Sequence, residues 1–186
     1  MLEKLNDIAN IQSGVFAKPH PNGDGAYLQV RHFNDSGELD TELLPEIVTA
    51  KHADKHLLNE GDIVLAAKGI KNFAAVIPKL EIPTIASTSF LIIKLNNANT
   101  SPHFLARWLN TNIDNIKRMA RGSAIPSISK SVIMDLEIPV IPVEIQQSIE
   151  QIDRLKAREK TILENLQIKR NLYIEQQISN IINKYK

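Results

Sequence analysis

The last 44 residues of this 186-residue chain contain neither glycine nor proline, whereas residues 1–142 hold all seven glycines and all nine prolines. These are the two residue types that break helices, so nothing after Pro142 obliges the chain to turn. Apolar side chains recur there at helical spacing: Ile145, Ile149, Ile152 and Leu155 follow one another at steps of four, three and three. After a polar gap at KAREK (156–160), Ile162, Leu166, Ile174, Ile178 and Ile181 resume the stripe. One helix is therefore expected from Val143 to Ile182. At ~1.5 Å per residue it would be a rod of roughly 60 Å. A domain of the remaining size has a radius of gyration of about 14 Å, so the far end of the rod would lie beyond it. An apolar stripe in that position needs a partner helix, and coiled-coil pairing is the expected use. The polar gap suits a stretch that is solvated or that faces a third protein. The chain thus divides into a globular domain, residues 1–142, and a long helix, residues 143–186.

Strands are expected at AYLQVR (26–31), DIVLAA (62–67), FAAVIP (73–78) and SFLIIKL (89–95), which are apolar, largely β-branched or aromatic, and bounded by turn residues. SPHFLARWLN (101–110) reads as a helix with Ser101 as N-cap and Pro102 in the first position. Its buried face would be Phe104, Leu105, Trp108 and Leu109. A second helix is expected over Asn112 to Ala120. The order of elements is neither regular βαβ alternation nor all-β, so the fold class is α+β, with a curved, mostly antiparallel sheet followed by the long C-terminal helix.

Several classes of function are excluded or disfavoured by what the chain lacks. There is no cysteine, which removes disulfides, thiol catalysis and cysteine-based zinc sites. No apolar run reaches 18 residues, so no membrane span is expected. Glu3 and Asp7 stand where a secretion signal would be basic and then apolar, and a cytoplasmic location fits. No phosphate-binding loop, dinucleotide fingerprint or nucleophile elbow occurs. The Pro-Pro-aromatic motif of amino-methyltransferases and the carboxylate–lysine set of nucleases are missing too. His52 and His56, with Asp54 between them, have the spacing of a metal pair. Without a third strong ligand they read better as a solvated polar turn. Glu60 and Asp62 flank a glycine before a strand and read as turn residues. No catalytic residue, metal or cofactor is expected in this chain.

The net charge of +1 hides an uneven distribution. Residues 1–50 carry three bases against eight acids, residues 51–130 eleven bases against five acids, and the remainder eight of each. A basic middle suits a phosphate-facing surface; an idle unevenness of surface charge would read the same way. The cations and polar groups concentrate on glycine-marked loops: GVFAKPHPNGDG (14–25), AKGIKN (67–72) and RMARGSAIPSISK (118–130). Loops of this kind can bring amides, hydroxyls and cations to phosphates while longer side chains reach base edges. Ordinary surface loops remain the alternative.

Four stretches give the chain a resemblance. LNDIANIQSG (5–14), LLNEGDIVLAAKG (57–69), SPHFLARWLN (101–110) and GSAIPSISKSVIMDLEIPVIPVEIQQSI (122–149) resemble the specificity subunit of type I restriction–modification systems. The last stretch is the most specific, with its glycine–serine loop, short helical turn, isoleucine–proline strand and glutamine-bearing helix start. It departs from the family in carrying Pro139-Val140-Ile141-Pro142 where proline–leucine–proline is usual. The resemblance implies one target-recognition domain and one helix, half of the usual subunit, which has two domains separated by two antiparallel helices.

Two copies would pair their helices as a homodimer through Ile145, Ile149, Ile152, Leu155, Ile162, Leu166, Ile174 and Ile178. They would then read an inverted, bipartite site on double-stranded DNA, with the helix setting the gap between half-sites. It further implies a methyltransferase partner that uses S-adenosylmethionine to methylate adenine, and in some assemblies a translocating endonuclease subunit. Loop position, charge and the family's loop locations together select Lys18, His20, Arg31, Lys68, Lys71, Asn72, Arg121, Ser123 and Lys130 as DNA-facing. The lysines would take phosphates and Arg31, Asn72 and Arg121 base edges. Two other readings stand beside this one: a silent cassette that only pairs helices, and a recognition piece of a fused restriction–methylation enzyme. The methionine start and finished helix speak against the last.

Overall fold

The structure is a computed structural model and describes residues 1–34, 37–52, 54–120 and 127–185. In chain order the elements are β1 (Leu2–Lys4), α1 (Leu5–Ile8), β2 (Ala9–Ser13), β3 (Ala26–Leu28), β4 (Ile63–Ala66), β5 (Ala74–Val76), β6 (Thr84–Ala86), β7 (Phe90–Leu95), α2 (Pro102–Met119), α3 (Lys130–Met134), β8 (Glu137–Pro139) and α4 (Val143–Asn183). Short 3₁₀ turns at Val30–His32, Thr49–Lys51 and Asp54–His56 fill the connection between β3 and β4. The chain divides into two compact units, Met1–Gln146 and Gln147–Lys186.

The first unit is built on a four-stranded sheet in the order β2-β7-β4-β5, antiparallel throughout. Its two central strands carry near-continuous apolar runs, because both faces are covered. All four residues of β4 are buried, as are Phe90, Leu91, Ile92 and Ile93 of β7. Asp62, itself buried, pairs with Lys94 at 3.0 Å where these strands meet their turns.

On one side Phe33, Phe73 and Phe90 form an aromatic group with centroids 4.9, 5.8 and 6.3 Å apart, joined by Leu28, Val64, Ile77 and Ile92. A smaller cluster gathers Ala17, Tyr27, Ile47 and Ile85.

The expected strands are present in shortened form, and the sheet is antiparallel, but it does not stand alone. β1 pairs with β8 antiparallel, and β3 pairs with β6 in parallel. β1, β2 and β6 escape a reading by periodicity for identifiable reasons. β1 and β6 are three residues long, and β2 (ANIQS) is an edge strand with polar residues on its open face. Val30 and Arg31 of the expected AYLQVR strand coil, with His32, into a 3₁₀ turn instead.

The two helices expected over 101–120 are one continuous helix, α2. No glycine or proline interrupts residues 103–120, so nothing forces a break. Its buried face is Phe104, Leu105, Ala106, Leu109 and Ile116, with Trp108 only half-buried. The same helix closes the open edge of β5. Asn110 Oδ1 accepts from the Ala74 N–H at 2.7 Å, and its Nδ2 donates to the Ala74 carbonyl at 2.8 Å. One side-chain amide thereby satisfies both backbone groups that an edge strand leaves unpaired.

Ser101 stands at the N-cap but its side chain makes no capping bond. Its N–H instead donates to Gln146 Oε1 at 2.7 Å. Gln146 Nε2 donates to the carbonyls of Asn99 (2.7 Å) and Ile141 (2.9 Å). This glutamine is 2% exposed and lies in the first turn of α4.

α4 runs for 41 residues. The stripe residues Ile145, Ile152, Leu155, Ile162, Leu166, Ile174 and Ile178 are all exposed, and Ile149 is half-buried. Beyond the polar gap Leu163, Ile168, Leu172 and Tyr173 are exposed as well. With 3.6 residues per turn, Ile168 and Leu172 fall on roughly the opposite side of the helix from Leu163 and Ile174. The distal half is thus apolar on two faces, not one. Among the described residues no helix is long and apolar enough to cross a membrane.

Removing the Gln146 amide leaves an N–H and two carbonyls without their partner in a partly buried site. Gln146→Ala is therefore expected to destabilise the first unit by about 2 kcal/mol. Urea unfolding should report it as a lower midpoint at constant m-value; a midpoint equal to that of the native chain would contradict the clamp.

Candidate nucleic-acid interface

β7 runs antiparallel to both of its neighbours, with Ser13 opposite Leu91 and Ala66 opposite Phe90. The end of β2, the end of β4 and the start of β7 therefore lie at one end of the sheet. β5 begins there too, since Ala74 faces Leu65. The loops that follow β2 and β4 are 14–25 and 67–73, two of the three basic loops singled out in the sequence.

Both are rooted on the turn that leads into β7. Gly14 N donates to Phe90 O (2.9 Å) and Val15 N to Ala86 O (3.0 Å). Ala67 N and Lys68 N both donate to Ser89 O, at 2.9 and 3.3 Å. A Cβ on Gly14 would sit 2.0 Å from the Ser87 carbonyl oxygen, so only glycine permits this approach. The described part of the third loop joins them. Ser127 forms a β-bridge with Lys68, and Ile128 N donates to Ala67 O at 2.8 Å. Ser129 then caps α3 by accepting from Val132 N, which sets Lys130 in the first helical position, exposed.

The hairpin loop between β4 and β5 is held from within. Asn72 Nδ2 donates to Ala66 O (2.8 Å) across the hairpin. Lys71 Nζ donates to Phe33 O at 3.0 Å and lies 5.9 Å from the centre of the Phe73 ring. Gly69 adopts φ +95°, a conformation that favours glycine, with open space on all sides. The loop tip carries two exposed side chains, Lys68 and Ile70. Ile70 is 95% exposed, an unusual position for an isoleucine inside a folded domain, and sequence reading passed over it. Its signal was there to find: an apolar residue between glycine and lysine in a turn.

Arg31 is brought to the same neighbourhood. Ser87 N donates to Leu28 O, so the 3₁₀ turn carrying Arg31 begins beside the turn that roots the loops. Arg31 is exposed, and its Nε donates to Nε2 of the buried His32 at 3.3 Å. Lys18 and His20 form a separate patch. With Phe16, which is exposed, they line an open cleft of about 430 Å³ against Val48 and His52. That loop is tied down at its far end by Asp24, which accepts from Thr49 N (2.7 Å) and Thr49 Oγ1 (3.0 Å). These bonds hold the Asp24 carboxyl below its ordinary range. Arg121 and Ser123 lie outside the described residues.

His52 follows the Thr49–Lys51 turn and His56 ends the Asp54–His56 turn, so they do not share one helix. Among the described residues no group of three histidine, aspartate or glutamate side chains comes together as a metal site. Burial, followed by Lys55, His52 and Lys94, pushes the His56 imidazole below its ordinary range.

Among the described residues the arrangement gathers cations, amides and hydroxyls at one end of a sheet. Comparison with known proteins gives it a context. A model of type I restriction modification DNA specificity domains matches residues 2–176. Among solved structures, the fold is similar to a chain from a study of complex assembly and conformational transition in the type I R-M system, at TM-score 0.64 and 19% identity, covering 87% of this chain and 43% of that one. It is similar to the HsdS subunit of Thermoanaerobacter tengcongensis, at TM-score 0.61 and 14% identity, covering 85% and 37%. The type I restriction-modification S subunit of M. genitalium matches at TM-score 0.55 and 16% identity, covering 83% and 39%. The chain thus spans less than half the length of these structures. No curated protein matches it.

His32 ties this platform to pH. Its Nδ1 lies 3.2 Å from Gln29 N and its Nε2 3.3 Å from Arg31 Nε; a neutral ring accepts from one of these donors, a protonated ring from neither. Burial first, then the Arg31 charge, push its pKa below the ordinary 6.5, against a smaller opposing pull from Glu46. A folded-state pKa below the unfolded value means that the unfolded chain binds the extra proton. Stability is then full above about pH 6.5 and falls as pH drops through the folded pKa; His56 acts in the same sense. An NMR titration should find His32 deprotonating below pH 6.5, and the urea midpoint should fall from pH 7.5 to 5.5. A His32 midpoint at or above 6.5 would contradict this.

Proposed function

Since the chain belongs to the family of type I restriction–modification DNA specificity domains, we propose that it reads one half of a bipartite site on double-stranded DNA and dimerises through α4 to place methyltransferase subunits for adenine methylation. The observation that carries this reading is the convergence of the basic loops. Lys68, Arg31 and Lys130 come from three segments distant in sequence, and all three segments bond to the turn into β7 or to one another. Phosphate contact by such cations would fix the register, and a hairpin between them could enter a major groove.

The remaining steps follow from what a half-length chain requires. A specificity domain covering 43% or less of the matched structures supplies one recognition surface. A second copy, paired along the exposed apolar residues of α4, supplies the other by a two-fold axis. The second apolar face at Ile168 and Leu172 leaves room for a further protein on the same helix, which suits a methyltransferase. S-adenosylmethionine would be bound by that partner and not by this chain. A translocating endonuclease subunit could join the same assembly, and the whole would act in the cytoplasm, where its DNA is.

Co-expression with the neighbouring methyltransferase in a methylation-free host, followed by single-molecule sequencing for N6-methyladenine, tests the proposal. A bipartite motif with inverted half-sites is the expected result. An asymmetric motif would replace the homodimer with a different partner half. A stable complex with no methylation would leave only a helix-pairing cassette. Within a working complex, Lys68→Ala should weaken binding to all sequences alike and lower the salt slope by ~1; an effect confined to one base position would contradict a phosphate contact.

A further inference from the structure

We propose that Ile70, at the tip of the hairpin loop between β4 and β5, is a specificity-determining residue that reads the 5-methyl group of a thymine in the major groove. The inference rests on the DNA-reading function above and assigns one contact within it.

Three observations lead there. The first is exposure. At 95%, Ile70 is the most solvent-exposed apolar side chain among the described residues of the first unit apart from the chain terminus, Met1. Nothing in the fold would be lost by a polar residue at this point, and an isoleucine gains nothing from water. The second is rigidity. A mobile loop could fold an isoleucine back onto the domain, but this one is held on every side. Asn72 crosses its base to Ala66 O, Lys71 is fastened to Phe33 O, and Lys68 is bridged to Ser127. Gly69, at φ +95°, turns the chain so that the tip stands out. A side chain presented on so fixed a support loses little further freedom on binding.

The third observation is charge. Ile70 stands two residues from the exposed Lys68, and the segment bridged to Lys68 leads within three residues to the exposed Lys130. An apolar probe beside exposed cations matches DNA better than it matches an apolar protein groove, because the cations need anions at the rim. A two-stranded β-ribbon fits the major groove, where the thymine methyl is the one apolar group on any base edge. The minor groove offers no such methyl, and an isoleucine placed there would act by unstacking bases and not by reading one.

The test uses the full chain in complex with its methyltransferase and duplexes containing the methylated motif. Each thymine of one half-site is replaced in turn by deoxyuridine, which removes only the 5-methyl group. One position is expected to lose about four-fold in affinity, the worth of one buried methyl. Ile70→Ala should weaken the thymine duplex by at least as much and make that position indifferent to deoxyuridine. Thermal unfolding of Ile70→Ala should match the native chain, since the side chain packs against nothing. If a defined motif is methylated yet no position responds to deoxyuridine, or if the response survives in Ile70→Ala, the inference fails and the DNA-reading function stands. If no motif is methylated at all, the function fails and the inference with it.

Discussion

Everything at the proposed recognition surface depends on β7 being flanked on both sides by antiparallel partners. Phe90 and Ile92 of this strand pack in the aromatic cluster, and a slip by one residue would put Leu91 and Ile93 there instead, a misfit in shape that a close-packed core resists. Once Ile92 and Ile93 are fixed between β2 and β4, the ends of both neighbours fall at the same end of the sheet. Two loops more than 40 residues apart in sequence must then emerge side by side, and residues 127–128 join them through Lys68 and Ala67. The backbone of the turn into β7 supplies their common anchor, through the carbonyls of Ala86, Ser89 and Phe90. The positions of the cations follow from sheet pairing, with no contribution from attraction among charges of like sign.

The opposite end of the same sheet carries the root of the long helix. β1 and β8 join the first residues to residues 137–139, and Val140 N donates to Met1 O, so the unit closes on itself just before α4 begins. Gln146 then binds the connection between β7 and α2 through two hydrogen bonds, at Ser101 N and Asn99 O, and a third holds Ile141 O just before α4. Buried amides of this kind carry a high cost if left unpaired and a modest gain if satisfied, which gives them more influence over geometry than over stability.

The two roles of the basic loops also separate in the structure. Lys71 and Asn72 look identical to Lys68 as candidates when only charge and loop position are considered. Their side chains turn inward, to Phe33 O and Ala66 O, and hold the loop in shape. Lys68 and Ile70 are left as the outward-facing residues. Which of the four faces out depends on Gly69 and on the distance across the hairpin, and neither can be read from residue types.

The sequence by itself determined the long helix, since a stretch without glycine or proline and with apolar residues at helical spacing has one local solution. The same holds for the central strands, whose apolar runs are unbroken, and for the absence of thiol chemistry, since no cysteine occurs. The tertiary structure alone decided that β2 and β6 exist and that Asn110 closes the edge of β5. Each of these depends on a partner far away in sequence, against which local preference has little weight. The gathering of loops 14–25, 67–72 and 127–130 belongs to the same class. Each loop was legible as basic and flexible in composition, but their meeting is a consequence of strand order, and strand order is set by which apolar faces pack together.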